Sequence, residues 1–323
     1  TPKPSSAASD VYKRQGPCTL EITIIINMMT KQTLVAISRD PIAQKLSFEL
    51  KEVALLFNAT LHTWDGQSFN GSYHSERWLC NQDFDGLQRE RLRMIAGKYN
   101  ADLCFLRTDL SLNPIRVLAM DMDSTLINIE CIDEIADFTG KKSAVAQITE
   151  ATMRGEIKDF KESLRRRVAL LEGVSADTLE AVYRERFRPN PGVKELLAGA
   201  HERGIYTLLV SGGFTFFTEK LQKSFDLKRT HANTLEVIDN KLTGKVLGDI
   251  VDGYAKASYL DDVCSQLGCS KANAITMGDG ANDLLMMNGS GISIAYKAKP
   301  VVKEKADAAF DHVGLDAALV LIA

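Results

Sequence analysis

The sequence predicts an α/β fold: a parallel-sheet core, a helical insertion after its first strand, and a small α+β unit ahead of both. Three observations carry this. Apolar runs at 117–120, 206–210 and 274–277 each end in a polar loop, as strands buried on both faces of a parallel sheet do. Residues 128–197 read as almost continuously helical, broken near Gly140, Gly155 and Gly173. Further upstream, strand and helix patterns alternate in the order βαββαβ, the ferredoxin-like plan.

Taken in order, 34–38 reads as a strand. Residues 41–57 place Ile42, Leu46, Leu50, Val53 and Phe57 three or four positions apart, as one buried helix face requires. Strands follow at 61–64 and 76–81, a helix at 85–99 and a strand at 102–106. Residues 111–114 make a linker, where Pro114 disfavours helix in the residue before it. A helix is expected over 159–171. Asn190-Pro191-Gly192 marks the return of the insertion to the core. Residues 232–248 suggest a hairpin turning at Asp239-Asn240, and 291–295 a further core strand.

At 323 residues the chain has room for two domains. Its net charge of -3 and pI near 6.0 speak against a nucleic-acid footprint. Six scattered cysteines without a Cys-x-x-Cys pair fit reduced cytosolic thiols better than a disulfide frame or a zinc site. Cys131 reads as small packing. Residues 1–15 are a polar Pro/Ser/Ala stretch that resembles a translated adapter scar. The apolar run at 20–29 is interrupted by Glu21 and is too short to span a bilayer. We therefore expect residues 1–28 to be a non-native leader, Met28 or Met29 the true start, and the location cytoplasmic, with no membrane partner.

The first apolar run leads into Asp121-Met122-Asp123-Ser124-Thr125. Ligands of parallel sheets bind at the carboxyl ends of the strands, and two residues one apart on an extended chain point the same way. Two carboxylates so close repel unless a cation or proton lies between them. One can then act as nucleophile while the other moves protons, with Mg²⁺ offsetting the charge. A polar strand-to-loop junction explains Asp-x-Asp equally well on its own. Ser211-Gly212-Gly213 ends the second run, and Gly278-Asp279-Gly280-Ala281-Asn282-Asp283 the third, with Lys256 between them. Each also fits an ordinary turn or, for Lys256, solvated surface.

Together and in this order, the four segments resemble the haloacid dehalogenase superfamily of phosphatases, and within it the phosphoserine-hydrolysing members. The match to 121–130 and 211–214 is the most specific part, and the resemblance covers roughly residues 116–323. It implies a Rossmann-like core with a helical cap at about 131–195. It also implies Asp121 as nucleophile and Asp123 as general acid and base. Ser124 and Thr125 would brace the loop by side-chain-to-backbone bonds. Ser211, Gly212 and Lys256 would hold the phosphate, and Asn282 would reach the substrate. Mg²⁺ would be held by Asp121, the carbonyl of Asp123, and Asp279, with Asp283 orienting water or Lys256. Glu130 would take the substrate ammonium and Arg167 its carboxylate, with Phe160 and Met153 as apolar walls.

Spacing alone selects none of Arg165, Arg166 and Arg167, and Glu162 with Arg166 makes a typical surface i,i+4 pair. The expected reaction is Mg²⁺-dependent hydrolysis of O-phosphoserine. Rivals are another capped phosphatase, for example on phosphohomoserine, and an amino-acid-responsive regulator using the domain as a scaffold. Residues 29–114 resemble the small ACT-like unit of some members, expected to bind amino acids or to pair two copies as a homodimer.

Overall fold

The computed structural model describes residues 31–63, 72–108 and 113–322; the leader expected at 1–28 lies outside them. The described strands form a single eleven-stranded sheet in the order β2-β3-β1-β4-β11-β10-β9-β5-β6-β7-β8.

Its first part is β1 (Gln32–Ser38), α1 (Gln44–Leu56), β2 (Leu61–Thr63), β3 (His74–Cys80), α2 (Gly86–Gly97) and β4 (Ala101–Arg107). β1 pairs antiparallel with both β3 and β4. This is the expected ferredoxin-like order. Helix α1 starts later than 41 because Ala43 is still extended, at ψ 132°. Asp85 and Gln88 form a reciprocal capping box that starts α2. β1 is buried on both faces. Leu34 and Ala36 pack with Trp78 and Phe105 under the helices, while Val35 and Ile37 join the large core of the following domain.

The sequence gives no hint of that second contact. β4 pairs antiparallel with β11 of the core, so the two sheets are continuous. Asp102, 5 % exposed, accepts three backbone N–H bonds from Asp311, His312 and Val313 at 2.9–3.0 Å. Arg93 donates to the carbonyls of Lys303 and Ala306 at 2.6 and 2.8 Å. Each is a charge-assisted hydrogen bond across the junction.

The core is built on β5 (Val117–Met120), β6 (Tyr206–Phe214), β7 (Arg229–Ile238), β9 (Ala274–Gly278), β10 (Ile292–Tyr296) and β11 (Ala308–Phe310). All pair in parallel. β8 (Lys241–Leu247) closes the edge as the expected hairpin, with Asp239 and Asn240 at φ 51° and 59°, the left-handed pair that such a two-residue turn demands. Between β5 and β6 stand α3 (Cys131–Phe138), α4 (Lys142–Met153), α5 (Phe160–Ala169), α6 (Asp177–Glu185) and α7 (Val193–Glu202). The breaks at Gly140, Gly155 and Gly173 all have positive φ, where only glycine is unstrained. α8 (Thr215–Phe225) and α9 (Gly253–Gln266) cover the sheet. Among the described residues, no helix is long and apolar enough to cross a membrane.

Candidate active site

β5 lies between β9 and β6, all three parallel. Their carboxyl ends therefore bring Asp121, Ser211 and Asp279 to one edge of the sheet, and α9 adds Lys256 from the side. A cavity of about 980 Å³ opens above them, roofed by α3, α4 and α5. Asp121, Asp123, Glu130, Phe160, Arg167, Ser211, Gly212, Asp279 and Asn282 all line it. Lys256 lies beneath, fully buried. The side chain of Met153 is outside the described residues.

Lys256 Nζ lies 2.8 Å from Asp121 Oδ1 and 2.7 Å from Asp283 Oδ1. Burial works against its charge, but the two carboxylates outweigh that and raise its pKa above the ordinary lysine value. One ammonium cannot balance the acids around it. Burial, then Asp283, push Asp121 well above the usual carboxylate range. Burial, then Asp283, push Asp279 up to about 7. Burial, then Glu130, push Asp123 up to about 8.

Asp121, Asp279 and Asp283 bring carboxylate oxygens within 4.8 Å of one another, and Asp123 Oδ1 is buried without a hydrogen-bond partner among the described residues. Hard oxygen donors with excess negative charge fit a divalent cation of the Mg²⁺ type. Asp283 is already committed, since its Oδ2 accepts from Asp279 N–H and Gly280 N–H at 3.2 and 3.0 Å. Asp121 Oδ1 also accepts from Met122 N–H at 2.7 Å, which leaves its Oδ2 as the oxygen without a hydrogen-bond partner among the described residues.

The Ser-Gly-Gly loop is shaped by close approach. A Cβ on Gly213 would lie 2.7 Å from Met122 Cε and 3.0 Å from Asp123 Oδ2, and one on Gly212 would meet Phe160 at 3.1 Å. Ser211 Oγ accepts from Gly213 N–H at 2.8 Å, which leaves its own proton to donate. On the roof, Arg167 is pulled down in pKa by burial, against the support of Asp133 and Glu130. Arg165 and Arg166 are exposed, and Arg166 makes the expected 2.7 Å pair with Glu162.

Two expectations are corrected. Ser124 Oγ bonds the Glu130 carboxylate at 2.6 Å, not the backbone, and Thr125 Oγ1 is buried with no partner among the described residues. Ser124 is left-handed at φ 57°, which carries its hydroxyl toward Glu130 and away from the loop. Cys131 packs as expected, fully buried in the large core, and its backbone N–H also donates to Asp123 Oδ2 at 3.4 Å.

The family model for haloacid dehalogenase-like hydrolases matches residues 118–288, the stretch that holds every group above. The chain belongs to the haloacid dehalogenase-like hydrolases. A phosphoserine phosphatase from Polaromonas sp. strain JS666 is 53% identical over 218 residues, 66% of this chain and 92% of the relative. The crystal structure of a probable phosphoserine phosphatase from Vibrio cholerae, in an unliganded form, superposes with a TM-score of 0.70 at 32% identity, covering 90% of this chain and 86% of that one. A phospho-aspartyl intermediate analogue of phosphoserine phosphatase gives a TM-score of 0.60 at 36% identity, over 65% of this chain and 100% of that one.

Several residues that shape this hydrolase site carry no sequence signal. Asn233 Nδ2 donates to Gly212 O at 2.8 Å and its Oδ1 accepts from Val251 N–H at 2.9 Å, tying the Ser-Gly-Gly loop to the start of α9. Asp252 caps α9 through Ala255 N–H and pairs with Lys161 of α5 at 3.1 Å. Asp133 lines the cavity near Arg167. All three are ordinary surface-type polar residues until the fold places them.

Proposed function

We propose that this hydrolase is a phosphoserine phosphatase, converting O-phospho-L-serine to L-serine and phosphate through an aspartyl phosphate, the last step of L-serine biosynthesis. One observation carries the reading. A single cavity holds the acid pair Asp121 and Asp123 with a buried lysine at its floor, and a carboxylate and guanidinium, Glu130 and Arg167, toward its roof. The floor suits a phosphate ester and the roof an amino-acid head. The phosphoserine phosphatases named above support the same substrate.

In this reading Ser211 Oγ–H, Gly212 N–H, Asn282 and the Lys256 ammonium orient the phosphoryl oxygens, where positioned donors contribute most to catalysis. Arg167 grips the carboxylate in bidentate fashion and Glu130 accepts from the ammonium. Asp121 Oδ2 attacks phosphorus. The bond to the serine oxygen breaks as Asp123 delivers its proton to that oxygen. Asp123, now a carboxylate, takes a proton from the water that attacks the aspartyl phosphate, and phosphate leaves with Asp121 restored. Mg²⁺ held by Asp121, the carbonyl of Asp123, and Asp279 would neutralise charge on the phosphoryl group. Asp283 holds Lys256 and the Asp279 loop in place.

The remaining assignments belong to the same proposal. Residues 29–114 form an ACT-like unit and 115–323 the phosphatase domain, with the cap at about 131–195. The protein works in the cytoplasm, with a homodimer as its expected assembly and no nucleic-acid partner.

Phosphate release from phosphoserine tests the function. We expect turnover with Mg²⁺, its loss in excess chelator, and its return when Mg²⁺ is restored. Equal kcat/KM on phosphoserine and on ethyl phosphate, which lacks the amino-acid head, would refute the roof assignment. The raised pKa of Asp123 predicts a second result. A general acid must be protonated to act, so kcat/KM should hold up to about pH 8 and then fall roughly tenfold per unit. A profile level through pH 10 would exclude Asp123 from that role.

A further inference from the structure

Asn190 stands at the corner where the cap returns to the core, and no step above uses it. It is 9 % exposed. Its Nδ2 lies 2.8 Å from Thr125 O, 2.9 Å from Ile127 O and 3.4 Å from Ser124 O. Its backbone N–H reaches Leu126 O at 2.9 Å. One asparagine thus clamps the carbonyls of Thr125, Leu126 and Ile127 and lies against that of Ser124, along the segment that leaves the catalytic loop for the cap. The two cap connections are joined again beside it, by Asn128 N–H to Arg188 O at 3.0 Å and Arg188 N–H to Asn128 Oδ1 at 2.9 Å.

The clamped segment begins directly after Asp123 and leads to Glu130. Ser124, its first residue, holds a left-handed conformation that is costly for a residue with a Cβ. It persists only where surrounding bonds over-determine it. Those bonds are Ser124 N–H to Ile129 O at 3.1 Å, the Asn190 contact to its carbonyl, and Ser124 Oγ to Glu130 Oε1 at 2.6 Å. The position of Glu130 therefore depends on Ser124, and that of Ser124 on Asn190.

We propose that Asn190 is a positioning residue for substrate discrimination: it pins the hinge so that Ser124 presents Glu130 to the ammonium of the substrate. This rests on the phosphoserine reading above. A double-mutant cycle of Asn190→Ala and Glu130→Gln tests it, with KM and kcat for phosphoserine measured on all four proteins. Losing hydrogen bonds of this kind should raise KM about tenfold in Asn190→Ala while kcat falls no more than about threefold. Because the residue acts through Glu130, the double variant should be no worse than Glu130→Gln alone.

Losses that multiply in the double variant, or a fall in kcat at unchanged KM, would overturn the proposal. If Glu130→Gln itself leaves KM unchanged, the head-group reading fails, and the hinge role fails with it. Should Asn190→Ala not fold, Asn190→Ser keeps one donor. It should then show a smaller rise in KM with the same lack of additivity, and multiplying losses would again overturn the idea.

Discussion

Asp121→Asn is expected to lower turnover on phosphoserine by at least about ten-thousand-fold while leaving the protein as stable as before, or more so. Phosphate monoesters hydrolyse so slowly unaided that losing the nucleophile forfeits most of a very large rate enhancement. The neutral amide cannot form an aspartyl phosphate. Its effect on folding has the opposite sign. Burial and the Asp283 charge hold the Asp121 pKa above its ordinary value, so ionising this group at neutral pH costs folding free energy. That cost grows as pH rises through the unfolded value and is absent below it. Asparagine removes it, while the 2.7 Å contact between Lys256 and Asp283 remains. Thermal melting at pH 7 beside phosphate-release assays checks both halves. An inactive variant that melts well below the parent would mean a collapsed site, not a missing nucleophile.

Lys256→Met should cost both activity and stability. The side chain is fully buried, and it is the sole ammonium within hydrogen-bond reach of Asp121 and Asp283 among the described residues. Removing one partner of a buried ion pair typically destabilises by about 3–5 kcal/mol, because the remaining charges stay buried and uncompensated. The pH dependence identifies the cause. Lys256 has a raised pKa, so its stabilising contribution is complete below the ordinary lysine value and is lost only as pH rises through the raised one. In the variant, Asp121, whose pKa is already raised, can be relieved by taking up a proton. The gap in melting temperature between parent and variant should therefore narrow as pH falls from 8 to about 5. A gap independent of pH would point to packing loss at the methionine instead.

The groups at the strand tips were legible because each follows an apolar run: Asp121 after β5, Ser211 within β6 and Asp279 after β9. Apolar strand followed by polar loop is a local pattern, and parallel pairing of the three then makes them neighbours. Lys256 had no such signal. A lone lysine in a helix reads as surface, and its burial arises from the approach of Asp121 and Asp283, which are far away in sequence. Arg167 could not be told from Arg165 and Arg166 by spacing, since the cap's orientation over the sheet decides which one points into the cavity. Asn190 and Asn233 were illegible for a similar reason: what they hold are backbone carbonyls and N–H groups, which leave no mark on the sequence. The βαββαβ order was readable from periodicity. The joining of β4 to β11 was not, because a strand's edge carries no residue code for its partner beyond a buried β1 and an acid, Asp102, whose three N–H donors come from residues 311–313.

The account turns on phosphate passing through Asp121. Acid-quenching the enzyme during turnover on phosphoserine, followed by peptide mass spectrometry, tests this directly. The peptide containing Asp121 should carry one phosphoryl group that appears within the first turnover and decays once substrate is exhausted, and Asp121→Asn should never acquire it. Full-rate phosphate release with no label on that peptide, or with the label on another residue, would contradict the account.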